Sequence, residues 1–168
     1  HHMRLKDIKE LTELALPYFE EKYDISNVSM EDLQFIVEVL REGAHTLKEL
    51  ASLADIYFND KFVLPQVTEE MNKKERKSVT RLLEAVESEK GKEAINLFKQ
   101  KIEKEEENIS CERAKQILQE VQDELNEGPA VALMPLRAVL TGKARGADLY
   151  TVIKIIGKTR ILNRISQF

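Results

Sequence analysis

Apolar residues return every third or fourth position along nearly the whole chain and nowhere alternate with polar ones, a period that calls for helices and argues against strands. Six glycines and four prolines in 168 residues are also too few for the tight turns of an all-β fold. Leu5, Ile8, Leu11, Leu14, Ala15 and Tyr18 share one face of a first helix, with Pro17 near its end. Ser29 caps a second helix with acids in its first turn and Leu33, Ile36, Val37 and Leu40 inside, and Gly43 supplies the stop. Thr46-Leu47-Lys48-Glu49 reads as a capping box opening a helix that buries Leu47, Leu50, Ala51, Leu53, Ala54 and Tyr57.

Lys61 to Val67 contain Pro65 and no helical period, so a boundary between two helical subdomains is expected between Asp60 and Asn72. Beyond it, Val79, Leu82, Leu83 and Val86 form a stripe that breaks at Glu89-Lys90-Gly91, and Ala94, Ile95, Leu97, Phe98 and Ile102 form the next. The charge run Glu103 to Glu107 reads as a solvated helix end. Ser110 caps a helix holding Ala114, Ile117, Leu118, Val121 and Leu125, stopped by Gly128. Pro129 to Gly142 is apolar nearly all round, as in one central buried helix. Asp148 is placed to cap Leu149 to Ile156, and Gly157-Lys158-Thr159 separates these from a last helix with Ile161, Leu162 and Ile165. The expected architecture is all-α in two small bundles: 1–3 as a tag remnant, 4–68 as the first and 69–168 as the second.

The chemistry of an enzyme is missing. His1 and His2 belong to the tag, and His45 stands alone beside a helix cap. Cys111 is the single cysteine and has no histidine near it in sequence, so a disulfide, a multi-cysteine zinc site and an activated thiol are all set aside. The pairs Gly91-Lys92, Gly142-Lys143 and Gly157-Lys158 lack the upstream glycine of a phosphate loop. No cofactor or metal is called for, no apolar run reaches the roughly 20 residues of a membrane span, and a cytoplasmic monomer is expected. Charge is segregated instead. Residues 129–168 carry seven cations (Arg137, Lys143, Arg145, Lys154, Lys158, Arg160 and Arg164) against Asp148 alone, while residues 1–128 carry 19 basic and 29 acidic side chains. A basic end on an acidic body suggests a polyanionic partner, nucleic acid first.

Two segments carry a family resemblance. Met134-Pro135-Leu136-Arg137-Ala138-Val139-Leu140-Thr141-Gly142, followed by Asp148-Leu149 and by Ile156-Gly157-Lys158-Thr159-Arg160-Ile161-Leu162-Asn163-Arg164-Ile165, resembles the carboxy-terminal end of bacterial glutamyl-tRNA synthetases. Thr46-Leu47-Lys48-Glu49-Leu50-Ala51 with Tyr57-Phe58, and Leu14-Ala15-Leu16-Pro17-Tyr18 upstream, are similar to the start of the same family's anticodon-binding region. The resemblance implies an anticodon-binding fragment of a class I synthetase, partnered by glutamate-accepting tRNA. Its catalytic domain, with ATP and magnesium, would lie elsewhere, because the His-x-Gly-His and Ser-Lys signatures do not occur here. It further implies that Arg137, Lys143 and Arg145 meet phosphates, with Lys154 and Arg164 behind them, and that Gly146, Ala147 and Leu149 lie against the anticodon bases. Relatives restricted to glutamate tRNA often carry an arginine three residues before the capping-box threonine. That position is Gly43, with Arg41 two residues earlier, so the parent enzyme is expected to accept glutamine tRNA as well. The competing readings are a helical protein-interaction module and, more remotely, a small helical enzyme.

Overall fold

The computed structural model describes residues 7–26, 28–61, 64–144 and 148–168, and among them every regular element is a helix. The chain divides into two compact units, His1–Asn59 and Asp60–Phe168.

In the first unit, α1 (Ile8–Lys22) packs on α2 (Met30–Leu40) and on α3 (Leu47–Leu53), which runs into the single turn α4 (Asp55–Phe58). The apolar stripe of α1 is rotated from the expected one. Leu11, Thr12, Ala15 and Phe19 are buried, while Leu14 and Tyr18 are 43% and 37% exposed. Thr12 can enter the core because its hydroxyl donates to the Ile8 carbonyl at 2.7 Å, leaving no unmade hydrogen bond. Leu53 is likewise exposed rather than buried. Gly43 is not a left-handed stop: α2 tightens into a 3-10 turn over Arg41–Gly43, and the glycine keeps an ordinary backbone. At the head of α3 the Thr46 hydroxyl accepts from the Glu49 amide at 3.1 Å. Glu49 reaches back one residue further than a capping box requires, to the His45 amide at 2.7 Å.

The second unit holds α5 (Lys73–Glu87), α6 (Glu89–Glu103), α7 (Cys111–Leu125), α8 (Pro129–Ala132), α9 (Met134–Thr141) and α10 (Leu149–Ile165). A reciprocal capping box that the stripe pattern does not reveal, Asn72 with Glu75, starts α5. The break before α6 is the single residue Ser88, and Gly91 lies inside α6. α7 ends on Asn126, which takes the left-handed conformation at φ 55°, so Gly128 is freed to cap α8. The apolar stretch 129–142 is two helices, not one. Pro135 has no N–H to continue the ladder and restricts the residue before it, and the chain turns at Leu133. α9 packs against α5, α6 and α10, and α10 also covers α6 and α7. Phe98, Ile102, Ile117, Leu136, Leu140, Ile153 and Ile161 are fully buried between them. Gly157 kinks α10 with φ 78° and ψ 170°, a backbone essentially reserved for glycine.

Candidate nucleic-acid interface

The Thr-Gly step after α9 builds the exposed turn. Gly142 takes φ 70°, and its N–H closes the helix on the Arg137 and Ala138 carbonyls at 3.1 Å each. The Thr141 hydroxyl donates to the Arg137 carbonyl at 2.8 Å and accepts from the Lys143 N–H at 3.1 Å. One hydroxyl thus ties the last turn of the helix to the first residue beyond it, and Lys143 is held out to solvent. Arg137 is half-buried two turns back, between the fully buried Leu136 and Ala138. The buried support expected of α9 is present, with Arg137 in the middle of the helix and Lys143 just beyond its carboxy-terminal end.

Arg145, Gly146 and Ala147 lie outside the described residues. The chain resumes at Asp148, whose carboxylate accepts from the Tyr150 hydroxyl at 3.0 Å, with no side-chain bond to a helix amide. That bond, reinforced by the carboxylate charge, raises the Tyr150 pKa. Leu149 is 3% exposed, so its side chain belongs to the core. Arg41 and Gly43 belong to the first unit. Arg41 pairs with Glu38 at 3.1 Å, and Gly43 lines a shallow groove of about 450 Å³ with Thr46, Lys48, Glu49, Ser52 and Leu53.

Much of the basic end is structural. Arg164 is fully buried, donating to the Leu140 carbonyl at 2.5 Å and to Asp60 Oδ1 at 3.0 Å. Arg160 forks onto the same carboxylate, with Nε to Oδ2 at 3.0 Å and Nη2 to Oδ1 at 2.8 Å. Burial pushes the Asp60 carboxyl up, but the hydrogen bonds and charges of the two guanidinium groups outweigh it and hold its pKa below the ordinary value. Lys158 Nζ donates to the Glu103 and Glu105 carbonyls at 2.9 Å each, satisfying backbone groups at the end of α6. In return Glu107 accepts from the Thr159 amide at 2.9 Å where α10 restarts after Gly157, a bond that lowers the Glu107 pKa. The acidic run after α6 is therefore a docking clamp, and Arg164 is corrected from a possible phosphate contact to a core residue. Sequence could not pair Asp60 with Arg160 and Arg164, because about a hundred residues separate them.

Among the described residues no group of three or more His, Cys, Asp or Glu side chains could hold a metal ion, and no helix is long and apolar enough to cross a membrane.

The family model "anticodon binding domain" matches residues 10–168. The chain belongs to the anticodon-binding domain family. Glutamate–tRNA ligases are the relatives it is similar to. It is 47% identical to that of Fusobacterium nucleatum, over 98% of this chain and 33% of the relative, and 30% identical to that of Clostridioides difficile, over 99% and 32%. The chain thus spans about a third of the length of the curated relatives it matches. A solved glutamate tRNA ligase from Elizabethkingia meningosepticum, in complex with its amino acid, shares the fold. It aligns with a TM-score of 0.76 at 18% identity, over 99% of this chain and 30% of that one. Among the described residues every regular element of this anticodon-binding domain is helical, and the protein-interaction module is not favoured.

Proposed function

We propose that the chain binds the anticodon loop of glutamate tRNA for a glutamate–tRNA ligase, in the cytoplasm and as a monomer. Ligation, with its ATP and magnesium, would belong to a catalytic portion not represented in these residues. The reading rests on the family match over residues 10–168, and the exposed Lys143 beyond a rigid α9 is the local feature that suits it. Charge reversal tests it. Lys143→Glu and Arg145→Glu are each expected to weaken binding of fluorescent glutamate tRNA about tenfold at low salt, while thermal stability stays within about 0.5 kcal/mol of wild type. Undiminished binding, or unfolding of both variants, contradicts the assignment.

The same reading extends to specificity. With glycine at position 43 and Arg41 held by Glu38, no guanidinium is offered from position 43 to a base edge, and the parent is expected to charge glutamine tRNA too. A Cβ at Gly43 would meet only Leu53 Cδ1, at 3.6 Å, so an arginine can be introduced without strain. In the complete ligase, Gly43→Arg is expected to increase rejection of glutamine tRNA by about tenfold or more, corresponding to the roughly 1–3 kcal/mol of a bidentate base contact. Strong rejection already present in the wild type would refute the idea.

A further inference from the structure

The overall charge of the first 128 residues conceals a local reversal. α5 opens Lys73-Lys74-Glu75-Arg76-Lys77 and continues to Arg81, five cations and one acid in nine residues. Two of these six are occupied locally. Glu75 serves the Asn72 capping box, and Arg76 donates to the Met71 and Glu69 carbonyls at 3.0 and 2.9 Å. Lys73, Lys74, Lys77 and Arg81 are all exposed and make no ion pair with another described residue. At about 100° per residue they fall within one arc of about 100°, which runs from the side opposite Leu82, the residue α5 buries, to its flank. Lys73, Lys77 and Arg81 succeed one another at four-residue steps, a row about 12 Å long.

This arrangement works against the stability of α5. Cations in a first turn oppose the helix dipole at about 0.3–1 kcal/mol each, and neighbouring like charges four residues apart repel. A regularly spaced, unneutralised row of positive charge matches a partner with one negative charge per nucleotide. α5 also packs against α9, the helix that carries Arg137 and leads to Lys143.

We infer that the Lys73–Lys74–Lys77–Arg81 face of α5 is a second RNA-backbone contact that grips tRNA phosphates without reading bases. The inference rests on the tRNA-binding reading and adds to it a surface outside the basic carboxy-terminal segment. Its chemistry is point-charge neutralisation by flexible ammonium and guanidinium groups, so it contributes affinity and positioning and leaves specificity unchanged.

The test compares the wild-type chain with Lys73→Gln/Lys77→Gln/Arg81→Gln for binding of full-length glutamate tRNA at several salt concentrations. Circular dichroism checks that α5 remains helical. The triple variant is expected to bind about tenfold or more weakly at low salt. Its slope of log affinity against log salt should be shallower by about 0.7–0.9 for each phosphate no longer neutralised. Wild type and variant with equal affinity and equal slope overturn the inference and leave the tRNA reading standing. Failure of the wild type to bind tRNA overturns both. Loss of binding to polyglutamate with tRNA binding intact overturns it in favour of an acidic protein partner.

Discussion

Replacing Asp60 by alanine is expected to lower the unfolding free energy by about 2–3 kcal/mol at pH 7. Removing one partner of a buried ion pair generally costs about 3–5 kcal/mol, because the surviving charge is left without compensation. Here the survivor is Arg164, whose side chain is 0% exposed, and a carbonyl such as that of Leu140 supplies a hydrogen bond but no full countercharge. The full figure is discounted because the Asp60 side chain is 39% exposed and water can take over part of its role. Arg160→Ala should cost less, since the Arg160 side chain is 30% exposed and its loss leaves Asp60 still bound to Arg164. The sign of the pH dependence follows from the lowered Asp60 pKa. A depressed carboxylate contributes its full stability above the ordinary value of 3.8 and loses it as the pH falls below that value. Urea denaturation should therefore show the gap between wild type and Asp60→Ala narrowing in that acid range. Equal stability at pH 7 would contradict this account of the cluster.

Gly91→Ala is the second large effect, and its sign is diagnostic. On helix propensity alone alanine would stabilise α6 by about 1 kcal/mol over glycine. A Cβ at this position, however, would lie 1.7 Å from the Ala85 carbonyl oxygen and 2.9 Å from both the Ala85 carbonyl carbon and Ser88 Oγ. None of these atoms is the free end of a flexible side chain. The Ala85 carbonyl accepts from Ser88 Oγ at 3.0 Å, and that oxygen accepts from the Gly91 amide at 2.9 Å. The turn between α5 and α6 would have to open, so a net loss of about 3 kcal/mol is expected, at the upper end for overpacking. A variant more stable than wild type in thermal unfolding would show that the two helices do not meet this closely.

Most helices were legible because each buries a face at a 3.6-residue period and several begin with a side-chain cap. Ser29 and Ser110 sit at the caps expected of them, accepting from the Asp32 and Arg113 amides at 3.1 Å. The errors came from the partners of each residue. Leu11 and Ala15 are buried as their spacing predicts, but Leu14 and Tyr18 continue that spacing as regularly as Phe19 does, and only packing against α2 and α3 decides between them. Gly43 and Gly128 looked like helix stops because glycine favours that role, but the left-handed ends fell to Asn126 and Gly142. In the candidate interface, the charge of the carboxy-terminal segment was visible and its use was not. Lys158, Arg160 and Arg164 are consumed by Glu103, Glu105, Asp60 and Leu140, a pairing that depends on tertiary distances. The cationic face of α5 is likewise hidden in sequence by the acids that surround it in the first 128 residues. Conversely, the Thr141-Gly142 step is visible in the sequence as part of a motif, and the structure supplies its physical meaning as the device that turns Lys143 outward.

The most direct test of RNA recognition by this chain is the salt dependence of its affinity for glutamate tRNA. If the exposed cations of α5, Arg137 of α9 and the cations beyond it meet phosphates, affinity should fall linearly on a double-logarithmic plot, with a slope of about −3 or steeper at about 0.7–0.9 per phosphate neutralised. A flat response to salt, or no detectable binding in dilute buffer, would contradict the account.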